Sequence, residues 1–141
     1  MPEIKVVDRA FDPLTELNAY RQSIETGSCG ANAIFIGTLR DFNNDAQVQS
    51  MTLEHYPGMT EKQLQRIADD AKRSWEIVDA LIVHRVGYIR LGEAIVLTAA
   101  WAGHRDPAFA ACRYMIEQLK SNAPFWKKEK LSGGERWVDK N

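Results

Sequence analysis

Histidine and arginine stand side by side in Gly103-His104-Arg105-Asp106-Pro107, between an apolar run and an amphipathic stretch. If the run is a strand and the stretch a helix, the pair lies at a helix N-terminus. Free backbone N–H groups and a partial positive charge suit that place to an anion. A second cluster joins Lys120 to Pro124-Phe125-Trp126-Lys127-Lys128-Glu129-Lys130. In a strand, Phe125, Lys127 and Glu129 share one face, and Trp126, Lys128 and Lys130 share the other. Crowded ammonium groups depress one another's pKa and favour a free amine, the form that acts as nucleophile or general base. A third cluster, Gly37-Thr38-Leu39-Arg40-Asp41-Phe42-Asn43, places an arginine within reach of a phosphate. From spacing alone, each also reads as ordinary surface: a solvated turn, a lysine-blunted sheet edge, an arginine at a strand end. His55, in Leu53-Glu54-His55-Tyr56-Pro57-Gly58-Met59, reads as structural. No histidine stands at ligand spacing from another His or Cys, so no bound metal is expected; no cofactor is expected either.

Alternating element types must position these residues. Ile4 to Val7 reads as a strand; Asp12-Pro13 caps and opens a helix to about Ile24. Gly27 and Gly30 precede a strand over 31–38, and 41–45 is polar and Asn-rich, hence a loop. Val48 to Tyr56 alternates at period two. Thr60-Glu61-Lys62-Gln63 fits a capping box ahead of Leu64, Ile67, Ala68, Ala71 and Trp75 at helical spacing. Val78–Val86 and Ala94–Ala102 form a strand pair joined through Gly87 and Leu91-Gly92-Glu93. Asp106-Pro107 repeats the cap-and-proline signature of a helix ending near Asn122. Phe125–Leu131 and Glu135–Val138 flank the Ser132-Gly133-Gly134 turn. Helices interleaved with strand pairs predict an α+β sandwich with a mixed, mainly antiparallel sheet.

With 141 residues, 45% of them hydrophobic and 26% charged, the chain has the size and make-up of one soluble domain, 1–141. Its longest apolar run is about half a membrane span, and no secretory signal is visible, which points to the cytoplasm. The two cysteines, Cys29 and Cys112, read as reduced thiols. A net charge of −1 argues against a nucleic-acid binder. It hides a −4 balance over residues 1–100 and a +3 balance over 101–141, which suggests a local anion site.

Taken together, these segments resemble the MoaE family, the large catalytic subunit of molybdopterin synthase. The resemblance runs through Gly37-Thr38-Leu39-Arg40, Leu53 to Met59, His84-Arg85-Val86-Gly87 and Gly92-Glu93. It continues in His104-Arg105 with Ala108-Phe109, and in Leu119-Lys120 and Pro124 through Glu129 to Trp137, so it covers about residues 30–138. It implies an α/β hammerhead fold and a sulfurtransferase of molybdenum-cofactor biosynthesis. Sulfur would pass from the C-terminal thiocarboxylate of a small ubiquitin-like subunit to cyclic pyranopterin monophosphate. The implied assembly is a homodimer of large subunits within a heterotetramer.

Carried onto this chain, the resemblance makes Lys120 the first choice for the catalytic amine and Lys127 the second. Thr38, Leu39, Arg40, His104, Arg105, Lys128 and Glu129 join both lysines as substrate-binding residues. Phe35 and Met115 are expected to pack near the partner's tail. Relatives often carry a basic residue where Thr38 stands, so one phosphate contact differs here. The alternative is a non-catalytic member that keeps only the partner surface.

Overall fold

In a computed structural model, which describes residues 2–43 and 46–138, the chain forms two sheets and three helices among the described residues. The strands are β1 (Glu3–Val7), β2 (Ala31–Thr38), β3 (Phe42–Asn43), β4 (Ala46–His55), β5 (Ile77–Arg85), β6 (Gly87–Arg90), β7 (Ala94–Ala102), β8 (Phe125–Leu131) and β9 (Gly134–Val138). The helices are α1 (Pro13–Arg21), α2 (Met59–Ser74) and α3 (Arg105–Asn122). The first sheet has the order β1-β5-β7-β2, with β1 parallel to β5 and the other neighbours antiparallel. In the second, β4 lies between β6 and β8, β9 pairs with β8, and β3 pairs with the start of β4. The sheets are thus mixed and mainly antiparallel, as the sequence predicts.

The first sheet is sealed on both faces because β5 and β7 are apolar at nearly every position. Ala80, Ile82, Val96, Ala100 and Ala102 pack with Leu64, Ile67, Ala68 and Ala71 of α2 and Ala108, Ala111, Cys112, Met115 and Leu119 of α3. Leu81, Val83, Leu97, Ala99 and Trp101 pack with Leu17 of α1 and with Ile24. Continuous apolar runs of this kind belong to strands covered on two sides.

Five expectations need correction. Helix α1 is capped by Asp12, which accepts from the Leu14 N–H (3.1 Å) and the Thr15 hydroxyl (2.9 Å), but it stops at Arg21. Tight i to i+3 bonds from Ser23 and Ile24 wind up its end. In α2 the cap is Gly58, not Thr60: the Glu61 carboxylate accepts the Gly58 N–H at 2.8 Å, and Gly58 takes φ +87°. Buried Thr60 instead accepts the Tyr56 N–H and donates to the Pro124 carbonyl, tying α2 to the chain entering β8. In α3 the helix starts at Arg105 with His104 in the cap position, so Pro107 falls inside the first turn. A missing N–H is harmless there.

The 41–45 stretch contains β3, and its residues 44–45 lie outside the described residues. The link between β5 and β7 also holds a strand. Gly87, at φ +87°, turns the chain out of the first sheet, and β6 joins the second. Buried Arg85 fixes this excursion by pairing with Glu93 (3.0 Å) and donating to the Tyr88 carbonyl, while Glu93 accepts the Arg90 N–H. No helix among the described residues is long and apolar enough to cross a membrane.

Candidate active site

Where the two sheets meet beside the end of α3, a cavity of about 330 Å³ opens to solvent. Four parts of the chain supply most of its lining, joined by Met51 of β4, Ile95 and Val96 of β7 and Val138 of β9. From β2 come Phe35, Gly37 and Thr38, followed by Leu39 and Arg40; from β5 comes His84; from α3 come Ile116, Leu119 and Lys120; from β8 come Phe125, Lys127 and Glu129. A register shift between Gly37 and Thr38 bends the end of β2, as bulges do where a side chain is re-aimed. Leu39 then donates to the Glu93 carbonyl (3.0 Å) and accepts from the Gly92 N–H (2.8 Å), which pins the backbone that carries Arg40.

In β8 the period of two sorts the charges as the sequence predicts. Phe125, Lys127 and Glu129 line the cavity. Lys128 turns away: its ammonium pairs with Glu135 (3.3 Å) and lies 5.5 Å from the Trp137 ring centre. The inward carboxylate, Glu129, is only 3% exposed and takes Arg136 as its counter-ion, with Nη2 and Nε at 2.9 and 3.0 Å from Oε1.

Burial lowers the pKa of Lys127, the charge of Lys120 lowers it further, and Glu129 opposes both. A larger fraction of this amine is therefore unprotonated near neutral pH than of a lysine in water. His84 stacks on Phe125, with centroids 3.9 Å apart and planes 15° apart, and its Nδ1–H donates to the Arg85 carbonyl at 2.9 Å. Burial, reinforced by the charges of Lys127 and His55, pushes the His84 pKa down to about 4 against that hydrogen bond. The ring is thus a neutral wall.

Of the expected site residues, Phe35, Thr38, Leu39, Arg40, Lys120, Lys127 and Glu129 meet at one cavity. Lys128 is on the opposite face of its strand. Met115 is fully buried in the core and does not line the cavity. His104 and Arg105, both exposed, stand at the other end of α3, some 22 Å from Lys120 at 1.5 Å per helical residue. Sequence reasoning passed over His84 and Arg136 as site residues. A histidine at the end of the apolar Ala80–Val83 run was the available signal for the first. For the second, it was an arginine facing Glu129 across a short hairpin. Among the described residues no cluster of His, Cys, Asp and Glu could hold a metal ion.

Comparison with known proteins places this arrangement. The family model described as MoaE protein matches residues 11–122. A protein of Ralstonia nicotianae named molybdopterin synthase catalytic subunit is 51% identical over 139 residues, covering 99% of this chain and 78% of that one. The solved structure of the molybdopterin biosynthesis MoaE protein from Burkholderia ambifaria aligns with a TM-score of 0.83 at 46% identity, covering 99% of this chain and 90% of that one. The crystal structure of molybdopterin synthase from Staphylococcus aureus aligns with a TM-score of 0.85 at 29% identity, covering 96% of each chain. With a family match over most of its length and a relative sharing half its residues, the chain belongs to the MoaE family.

Proposed function

We propose that this chain is the catalytic subunit of a cytoplasmic molybdopterin synthase, a sulfurtransferase. It would move sulfur from the C-terminal thiocarboxylate of a small ubiquitin-like subunit to cyclic pyranopterin monophosphate. The observation that carries the reading is the convergence of Lys120 and Lys127, from α3 and β8, on one cavity with Arg40. Both substrates are anionic, and fixed cations around a partly enclosed cavity attract them and hold them together. The thiocarboxylate sulfur forms a C–S bond to a pterin carbon as the C–O bond at that carbon breaks, its oxygen leaving on the phosphate or, once protonated, as water, and the product is an acyl–sulfur link. Cleavage of that link by water or by a lysine amine leaves sulfur on the pterin and the acyl group on oxygen or nitrogen. The lowered pKa of Lys127 suits it to act as that amine or as the base for water. Lys120 supplies charge beside it, and Phe35 lines the path of the entering tail.

His104 and Arg105 fit the same substrate if a second copy presents them. Strand β2 is the edge of its sheet, and Ile34, Phe35 and Ile36 are 45%, 38% and 38% exposed along it. The Ala31 end of β2 adjoins the turn that carries His104. Gly30 donates to the Ala102 carbonyl, and a Cβ on Gly30 would collide with the Gly103 carbonyl. The Thr38 end opens on the cavity. Antiparallel pairing of two copies along β2 brings the His104 and Arg105 of one to the Arg40 of the other, as an isologous contact requires.

The test is reconstitution with the thiocarboxylated small subunit. The wild-type chain should form molybdopterin, and the chain without a loaded partner should form none. Chains carrying Lys120→Ala and Arg105→Ala should each be inactive, and a mixture should recover about a quarter of the wild-type rate, from the one intact site in mixed dimers. Tight partner binding with no product from the wild-type chain would establish the scaffold reading instead.

A further inference from the structure

We propose that Arg136 is a positioning residue that engages the buried Glu129 carboxylate and so keeps it from closing an ion pair with Lys127. The inference rests on the reading of Lys127 as the reacting amine. Glu129 and Arg136 are directly opposite in the β8–β9 register. Lys127 precedes Glu129 by two residues on the same face, roughly 6.6 Å along the strand. A carboxylate that is 3% exposed needs a counter-ion, and two cations lie within reach. The guanidinium is always charged and its fork matches a carboxylate, so it makes the better partner. Its two nitrogens lie 2.9 and 3.0 Å from Oε1. An ammonium locked to Glu129 would be useless as a nucleophile or base.

Among the described residues, the other groups lining the cavity with Lys127 do not offer it an anion. Lys120 on α3 and Arg40 after β2 are cations, and His84 on β5 is neutral near physiological pH. His55, on β4, reaches this region only through its effect on His84. Among the described residues Glu129 is therefore the anion that can hold the Lys127 amine in its charged form, and its charge opposes the lowering of the Lys127 pKa.

The experiment uses the reconstituted complex of full-length chains and two readouts. The Lys127 titration is followed by competitive acetic anhydride labelling with mass spectrometry, which does not depend on turnover. The pH dependence of kcat is measured in parallel. Arg136→Gln should raise the labelling midpoint of Lys127 and move the acid limb of the rate profile upward. At neutral pH kcat should fall about tenfold, recover at alkaline pH and leave KM nearly unchanged. Glu129→Gln should shift both in the opposite direction, and Arg136→Lys should restore most of the wild-type profile. If Arg136→Gln leaves the Lys127 midpoint where it is, or if its rate loss is the same at every pH, the proposal is overturned. If the midpoint moves and kcat does not follow, the electrostatic link stands and the assignment of Lys127 as the reacting amine falls.

Discussion

Strands β7 and β8 differ in composition as much as two strands of one small protein can. Ala94-Ile95-Val96-Leu97-Thr98-Ala99-Ala100-Trp101-Ala102 carries no charge and is buried almost throughout. Phe125-Trp126-Lys127-Lys128-Glu129-Lys130-Leu131 carries four charges in seven residues. Beyond Ile95 and Val96, which border the cavity, both faces of β7 are core, so each position is judged by volume. In β8 one face borders the cavity and the other meets solvent, so each charge is judged by what surrounds it. Lys127 and Lys128 are neighbours in sequence, yet Lys127 turns into the cavity beside Lys120 while Lys128 turns out to Glu135. The comparison teaches that face, more than residue type, decides what surrounds a lysine's charge.

The sharpest way to break it is to remove each lysine in turn. Lys127→Ala should lower kcat by about a hundredfold or more in the reconstituted assay, the scale of a lost acid–base or nucleophilic group. Lys128→Ala should stay within about twofold, because an exposed ion pair with Glu135 contributes little. Equal losses would show that the faces do not differ in function.

Stability should divide the regions the other way. Ile82→Ala, at a fully buried position between β1 and β7, should cost about 2–5 kcal/mol in urea unfolding. Lys130→Ala, exposed on β8, should change it by less than about 0.5 kcal/mol. A large loss at Lys130 would mean that the charged strand is also packed by volume.

A further contrast comes from His84, which links the two sheets through Phe125. In the unfolded chain this imidazole takes up its proton near pH 6.5, and in the native state near 4. The unfolded state therefore binds more protons between those values, and stability must fall as the pH drops through that window. The loss should reach ~3 kcal/mol at the acid end. His84→Phe, which keeps an aromatic ring against Phe125, should flatten that slope when unfolding is measured across the same range. An unchanged slope would place the acid sensitivity elsewhere.

Much of this was legible from residue order. The apolar runs of β5 and β7 mark doubly covered strands, Asp12-Pro13 marks the start of α1, and the period of two separates Lys127 and Glu129 from Lys128 and Lys130. The misplaced caps show where local signals compete. Thr60 and Asp106 have good capping chemistry, yet Thr60 is drawn inside to tie Pro124, and the helix of Asp106 starts earlier at Arg105. Strand β6 was hidden because its partner, β4, lies more than thirty residues away, and only the turn at Gly87 delivers it there.

Sequence by itself determined the faces of each element and the residue types available to a cavity, because periodicity is a property of one strand or one helix. It also carried the family resemblance, through motifs in order along the chain. Tertiary structure alone decided which elements meet. It set Lys120 beside Lys127, gave Glu129 its partner Arg136, stacked His84 on Phe125 and left His104 and Arg105 at the far end of α3. The physical reason is that charge coupling and desolvation depend on distance and burial in space, and neither is encoded by spacing along the chain.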